Sequence, residues 1–223
     1  MMKHTIIPHN VGTLLYATLF CLISASAAGI DWRDLDPARE DSAVKRQLES
    51  GKLLDAGEWG ATVFPVLAKE IWQNNIHRKG RLPYPLSPYQ IKWLEPWLTR
   101  WGIDPKKIQV VYEADLLNDY KILDLWPIPI MDELAGQTFG NVIYLRQPYR
   151  EKDGNLLVLL SHEAFHVRQY QALGSIAEFG RKYVQGYIAS FFSYENNPME
   201  VDAYDAQDRF KAWLCKQEGW SCE

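Results

Sequence analysis

An α+β fold follows from three features of this sequence. Apolar residues recur at helical spacing near both ends of the chain. Two short β-branched stretches lie between them, and no repeat or linker divides the whole. Residues 36–50 and 57–76 read as helices, with Gly57 and Gly60 marking a break between the two. Residues 78–88, RKGRLPYPLSP, are proline-rich and irregular. PYQIKWLEPWLTRWG, 88–102, is a helix that can kink at Pro96 and ends at Gly102. Its Trp93, Trp97 and Trp101 repeat every fourth residue on one face, a spacing that suits a core better than a sugar-stacking platform.

Strands come next. KIQVVYEA, 107–114, is short and β-branched, and GNVIYLRQ, 140–147, is a second strand, at an edge or in the interior of the sheet. The prolines between them fit a loop or an edge strand over 123–139. After KDGN the periodicity turns helical again, over about 155–172, 175–193 and 198–216.

The N-terminus has the order of a secretory signal peptide. Lys3 and His4 precede an apolar run from Val11 to Ile23, which leads into SASAAG, with cleavage expected after Ala27 or Ala28. The run is shorter than the roughly 20 residues of a membrane span, so no stable insertion is expected after cleavage. Phe20 is too bulky to precede a lipid-modified Cys21. Residues 1–28 are therefore read as a signal peptide and 29–84 as an N-terminal helical region, with the principal domain over 85–223. A periplasmic or secreted location follows. It agrees with Cys215 and Cys222, which are spaced for a local disulfide across a short glycine-containing loop. The formal net charge of −4, with charges well mixed, builds no basic patch for nucleic acid.

The chemistry concentrates in LLVLLSHEAFHVRQYQALG, 156–174. On a helix, His162 and His166 share a face and can direct ring nitrogens at one ion. Glu163 is turned by roughly 100° from His162, so it suits a metal-held water better than the metal. That division of labour is what a zinc hydrolase uses: imidazoles hold Zn²⁺ and a carboxylate takes the proton of the acidified water. The run from Leu156 to Leu160 is apolar enough to require burial, and two buried imidazoles and a carboxylate need partners that a metal supplies.

Catalytic zinc takes three protein ligands. His77 lies far upstream, and Gln169 and Ala172 stand where one zinc-peptidase pattern has glycine and a third histidine. The third ligand is therefore sought among Glu178, Glu195, Glu200, Asp202 and Asp205. Glu200 is favoured, because Asn197 can cap a helix with Pro198 as its first residue and so place Glu200 in the first turn. The same Asn197-x-x-Glu200 spacing also fits a capping box, in which the glutamate bonds only a backbone N–H. Tyr204 and Tyr170, each one turn beyond a ligand, are candidate donors to the oxyanion, and ordinary packing is the competing role for both. If GNVIYLRQ is an edge strand, an extended peptide can lie along it.

The sequence also carries a resemblance. HEAFH followed by a glutamate in EVDAY resembles the gluzincin division of zinc peptidases. LEPWLTRWGIDPKKIQVVYEA, TFGNVIYLRQ, LLSHEAFHVRQYQALG and NNPMEVDAY, in that order, resemble a bacterial metallopeptidase family of unknown function. The domain of that family also occurs in proteins associated with extracellular contractile injection systems. The likeness covers about residues 85–210. It implies a zincin-like domain in which a small sheet precedes the HExxH helix and a following helix bears the third ligand. It further implies His162, His166 and Glu200 as ligands and Glu163 as base. Relatives commonly have an aspartate four residues after the ligand glutamate. This chain has Tyr204 there, which leaves Asp205 or Asp202 to brace a ligand histidine. The expected function is an exported zinc-dependent peptidase acting on a peptide or protein substrate. The rivals are a zinc-stabilised binding protein without turnover and a cell-wall amidase.

Overall fold

The computed structural model describes residues 56–119, 134–191 and 193–217. The signal segment, the helix expected over 36–50, residues 123–133 of the proline-rich stretch and Cys222 lie outside the described residues. The fold is α+β. Helix α1 (Ala56–Trp72) runs into a π-helical turn (Gln73–Arg78), followed by strand β1 (Tyr84–Pro85) and helix α2 (Pro88–Arg100). Strands β2 (Gln109–Val111), β3 (Gly136–Phe139) and β4 (Val142–Leu145) precede three helices, α3 (Gly154–Leu173), α4 (Ile176–Ala189) and α5 (Pro198–Leu214). No helix among the described residues is long and apolar enough to cross a membrane.

The sheet has the order β1-β2-β4-β3, with β2 and β4 parallel and the outer pairs antiparallel. Strand β4, from GNVIYLRQ, is therefore interior, and its neighbour β3, from the end of the 123–139 stretch, lies at one edge with β1 at the other. Residues Gly140 and Asn141 close the β3–β4 hairpin, with Gly140 at φ +62°, the left-handed position a two-residue type II′ loop requires of its first residue. Strand β1 was unforeseen in the irregular stretch. It has two residues, and its Pro85 is tolerated on a sheet edge.

Strand alternation divides the core. Val110, Ile143 and Leu145 join Leu94, Leu98, Leu156, Leu157, Leu160 and Phe210 in one cluster. Their chain neighbours Val111 and Tyr144 belong to another, with Val63, Leu67, Ile71, Tyr170 and Phe179. A period of two sends successive side chains to opposite faces, so helices cover both sides of the sheet. Helix α3 serves both clusters, with Leu160, Ala164 and Val167 in the first and Tyr170 in the second, and is therefore buried round most of its girth.

The tryptophan stripe is half-buried and packs against the core. Trp93 and Trp97 meet Trp213 at ring-centroid distances of 6.3 and 6.1 Å, and Trp101 meets Phe165 at 5.3 Å. Helix α2 thus buttresses α3 and the C-terminal half of α5.

Two expectations about helix limits need correction. Gly60 lies inside α1 and marks no break, whereas Gly57 stands at the first described turn of α1 and the residues before Ala56 lie outside the described ones. Gly60 is where α1 crosses α4: an added Cβ would sit 2.2 Å from the Gly180 carbonyl oxygen, and one at Gly180 would sit 2.3 Å from that of Gly60. The glycines allow backbone to touch backbone. Helix α4 ends at Ala189 rather than near 193, because Ser190 Oγ donates to the Tyr187 or the Ser193 carbonyl, each 2.9 Å away. Phe191 then turns into the left-handed region at φ +55°.

Candidate metal centre

Helix α3 begins where the Asp153 side chain accepts from Leu156 N–H at 3.1 Å, and ends at Gly174, left-handed at φ +81°. Between these stops His162 and His166 stand one turn apart, both buried, with ring centroids 4.9 Å apart. Helix α5 brings the third group. Asn197 caps it by accepting from Met199 N–H at 3.2 Å, and its amide donates to the Tyr183 carbonyl at 3.2 Å, fixing the start of α5 to α4. The two helices can approach there because an added Cβ on Gly186 would lie 2.6 Å from Asn197 Oδ1. Pro198 follows as the first helical residue, and Glu200 then projects toward α3.

Glu200 is not the glutamate of a capping box. The Asn197 N–H goes to the Tyr194 carbonyl at 3.0 Å, while Glu200 Oε1 accepts from the Tyr183 hydroxyl at 2.9 Å. Glu200 Oε2 lies 3.4 Å from both His162 Nε2 and His166 Nε2, and those nitrogens are 3.2 Å from each other. Oε2 is buried and makes no hydrogen bond among the described residues. Three donor atoms thus form a near-equilateral triangle around one point, and this buried group can hold a metal ion. Tetrahedral zinc with ligands at about 2.0–2.1 Å has ligand–ligand edges of about 3.3 Å, the spacing found here. Imidazole donors disfavour calcium and magnesium, which take oxygen ligands.

Electrostatics follow from this crowding. Burial disfavours charge on His166, but the adjoining Glu200 carboxylate prevails and raises its pKa to about 9. Burial likewise works against the Glu200 carboxylate, yet His166 and His162 hold it well below the usual range.

Glu163 stands apart from the triangle. Its Oε2 accepts from the Thr138 hydroxyl of β3 at 2.7 Å, and its Oε1 lies over Gly136, where an added Cβ would be 2.6 Å away. Burial raises its pKa, against the pull of His162, His166 and Thr138. Tyr204 packs its ring 4.6 Å from that of His162 with more than a third of its surface exposed. Tyr170 is in the core, stacked on Phe179 at 3.7 Å. That placement makes it packing rather than a donor to substrate.

The other candidate carboxylates are elsewhere. Glu178 pairs with Arg181, Glu195 and Asp202 are exposed, and exposed Asp205 pairs with Arg209. Asp202 and Asp205 therefore do not brace a ligand histidine. The group behind the His166 ring is Gln169, whose Oε1 is 2.8 Å from His166 Nδ1. His77 is exposed, on the π-helical turn. Cys215 is disulfide-bonded, and its expected partner Cys222 lies outside the described residues.

Tyr183, Thr138 and Gly136 are contributors that sequence reasoning missed. Thr138 and Gly136 reach the site from a strand about 25 residues away, and no local periodicity signals such a contact. Gln169 was within reach, since three residues after His166 is the same helix face. No family model, curated protein or solved structure matches the chain.

Proposed function

We propose that the protein is an exported zinc-dependent metallopeptidase of zincin-like architecture, with His162, His166 and Glu200 as ligands and Glu163 as general base. One observation carries this reading. Two imidazole nitrogens and a buried carboxylate oxygen with no hydrogen bond among the described residues lie 3.2–3.4 Å apart, in the two-His, one-Glu donor set that catalytic zinc uses. When bound, zinc acidifies a water and polarises the carbonyl under attack.

The protein's own groups do the rest. Tyr183 donates to Glu200 Oε1, which leaves Oε2 as the ligand atom. Thr138 holds Glu163 by Oε2, so the carboxylate is oriented before substrate arrives. Burial that raises the Glu163 pKa suits a group that must first accept a proton and then return it to the leaving amine. Tyr204, partly exposed with its ring 4.6 Å from that of His162, is assigned in this reading as the donor to a developing oxyanion. The resemblance of four sequence stretches to a bacterial metallopeptidase family supports the same reading, and the N-terminal signal pattern supports export.

Glu163→Gln tests it. Glutamine keeps the shape and can still accept from Thr138, but takes no proton. Zinc content should be retained while hydrolysis of a peptide cleaved by the wild type falls by a factor on the order of a hundred or more. Equal activity in the two proteins would end the catalytic reading. A wild type that binds zinc yet cleaves nothing in a broad peptide library would favour the non-catalytic alternative.

A further inference from the structure

We propose that Gln169 is a positioning residue that fixes the tautomer and rotation of the His166 ring for metal binding. The proposal rests on the metal reading of the His162–His166–Glu200 group and is independent of peptidase activity. Gln169 has two amide atoms and two partners. Nε2 is 2.9 Å from the Met199 carbonyl oxygen on α5, and Oε1 is 2.8 Å from His166 Nδ1 on α3. A carbonyl oxygen only accepts, so the atom facing Met199 must be the NH₂, and a flipped amide would set two acceptors against each other. The atom facing His166 is then oxygen, which also only accepts. His166 Nδ1 must therefore carry the hydrogen, and in the neutral ring Nε2 is left with its lone pair free.

That lone pair belongs to the atom 3.2 Å from His162 Nε2 and 3.4 Å from Glu200 Oε2. The same amide ties α3 to Met199, the residue before Glu200, so one side chain orients a ligand and sets the gap between the two ligand-bearing helices. His162 differs: its Nδ1 is buried and makes no hydrogen bond among the described residues. His166 is the imidazole held from behind, and this is the role the expected aspartate would have had.

The test is zinc affinity, measured by competition with a chromophoric chelator, beside the visible spectrum of the Co²⁺-loaded protein and thermal unfolding of the metal-stripped one. Gln169→Met has a similar length and can bond neither partner. We expect it to bind zinc 10- to 100-fold more weakly, the range typical for loss of a group that orients a ligand, with an altered Co²⁺ spectrum. Gln169→Glu keeps an acceptor for Nδ1–H but cannot donate to Met199. It should hold zinc within a few-fold of wild type while the stripped protein unfolds at a lower temperature. Wild-type affinity in Gln169→Met would overturn the proposal. So would equal weakening of both variants, which would reduce Gln169 to a tie between helices. A wild type that binds no zinc would instead remove the metal reading on which the proposal stands.

Discussion

Gly136→Ala tests how closely Glu163 is held. The added methyl would lie 2.6 Å from Glu163 Oε1, 2.9 Å from Leu145 Cδ2 and 3.0 Å from Glu163 Cδ, where ordinary contact begins at 3.4 Å. Strand β3 cannot easily retreat, because Gly136 is paired with Leu145 of β4 and Leu145 is fully buried. The carboxylate must move instead, by about 0.8 Å. That displacement stretches the 2.7 Å bond from Thr138 to the limit of hydrogen bonding. A buried hydrogen bond to a charged group contributes about 1.5–3 kcal/mol, so a drop of this order in unfolding free energy is expected. Misplacement approaching 1 Å of a catalytic group lowers turnover by about 10²-fold. The assay is turnover on a peptide the wild type cleaves, beside zinc content and urea unfolding of both proteins. We expect turnover to fall by about two orders of magnitude with zinc near one per chain. Unchanged turnover would refute the placement of Glu163 against Gly136. Loss of zinc together with activity would place the damage in the metal centre rather than at the base.

Gly60→Ala should destabilise although alanine favours a helix by about 1 kcal/mol, because the clash with the Gly180 carbonyl is backbone against side chain and overpacking costs about 1–3 kcal/mol or more. The urea midpoint should fall, and a rise would contradict the close crossing of α1 and α4. Asp115 has a lowered pKa because, although burial opposes its charge, Lys79, Arg81 and Asn74 together prevail. A depressed carboxylate stabilises above its unfolded pKa, near 3.9, and that contribution is lost as pH falls through the lower folded value. Wild type should therefore lose more stability than Asp115→Asn between about pH 5 and pH 2, measured by urea unfolding at each pH. Parallel curves would show the ion pairs to be without effect.

The elements whose logic is local were legible. Helix α3 announces itself through its apolar run and the two histidines, and α5 through Asn197 and Pro198 at its start. The triangle was legible as well, since i and i+4 fix the imidazoles and the first turn of α5 fixes Glu200. What could not be read depends on crossings between distant segments. Gly60 looked like a breaker because a glycine required by a helix crossing and one that ends a helix are the same letter. The order of strands put β4 inside and β3 at the edge, a matter of topology that alternation alone does not determine. Thr138 and Tyr183 support the site from other elements. Asp202 and Asp205 are nearer in sequence to the place of the expected aspartate, but the group that contacts His166 Nδ1 is Gln169, three residues after it on the same helix.

Zinc content of the purified protein, measured by elemental analysis after dialysis and set beside Glu200→Gln, bears most directly on the metal centre. Glutamine leaves the helix intact, since Asn197 caps it through Met199 N–H and the Glu200 side chain takes no part. It removes the negative charge at the atom that lies 3.4 Å from both imidazole nitrogens. We expect about one zinc per chain in the wild type and far less in a folded Glu200→Gln protein. A folded wild type without zinc, or stoichiometric zinc in the variant, would contradict the assignment of His162, His166 and Glu200 as a zinc site.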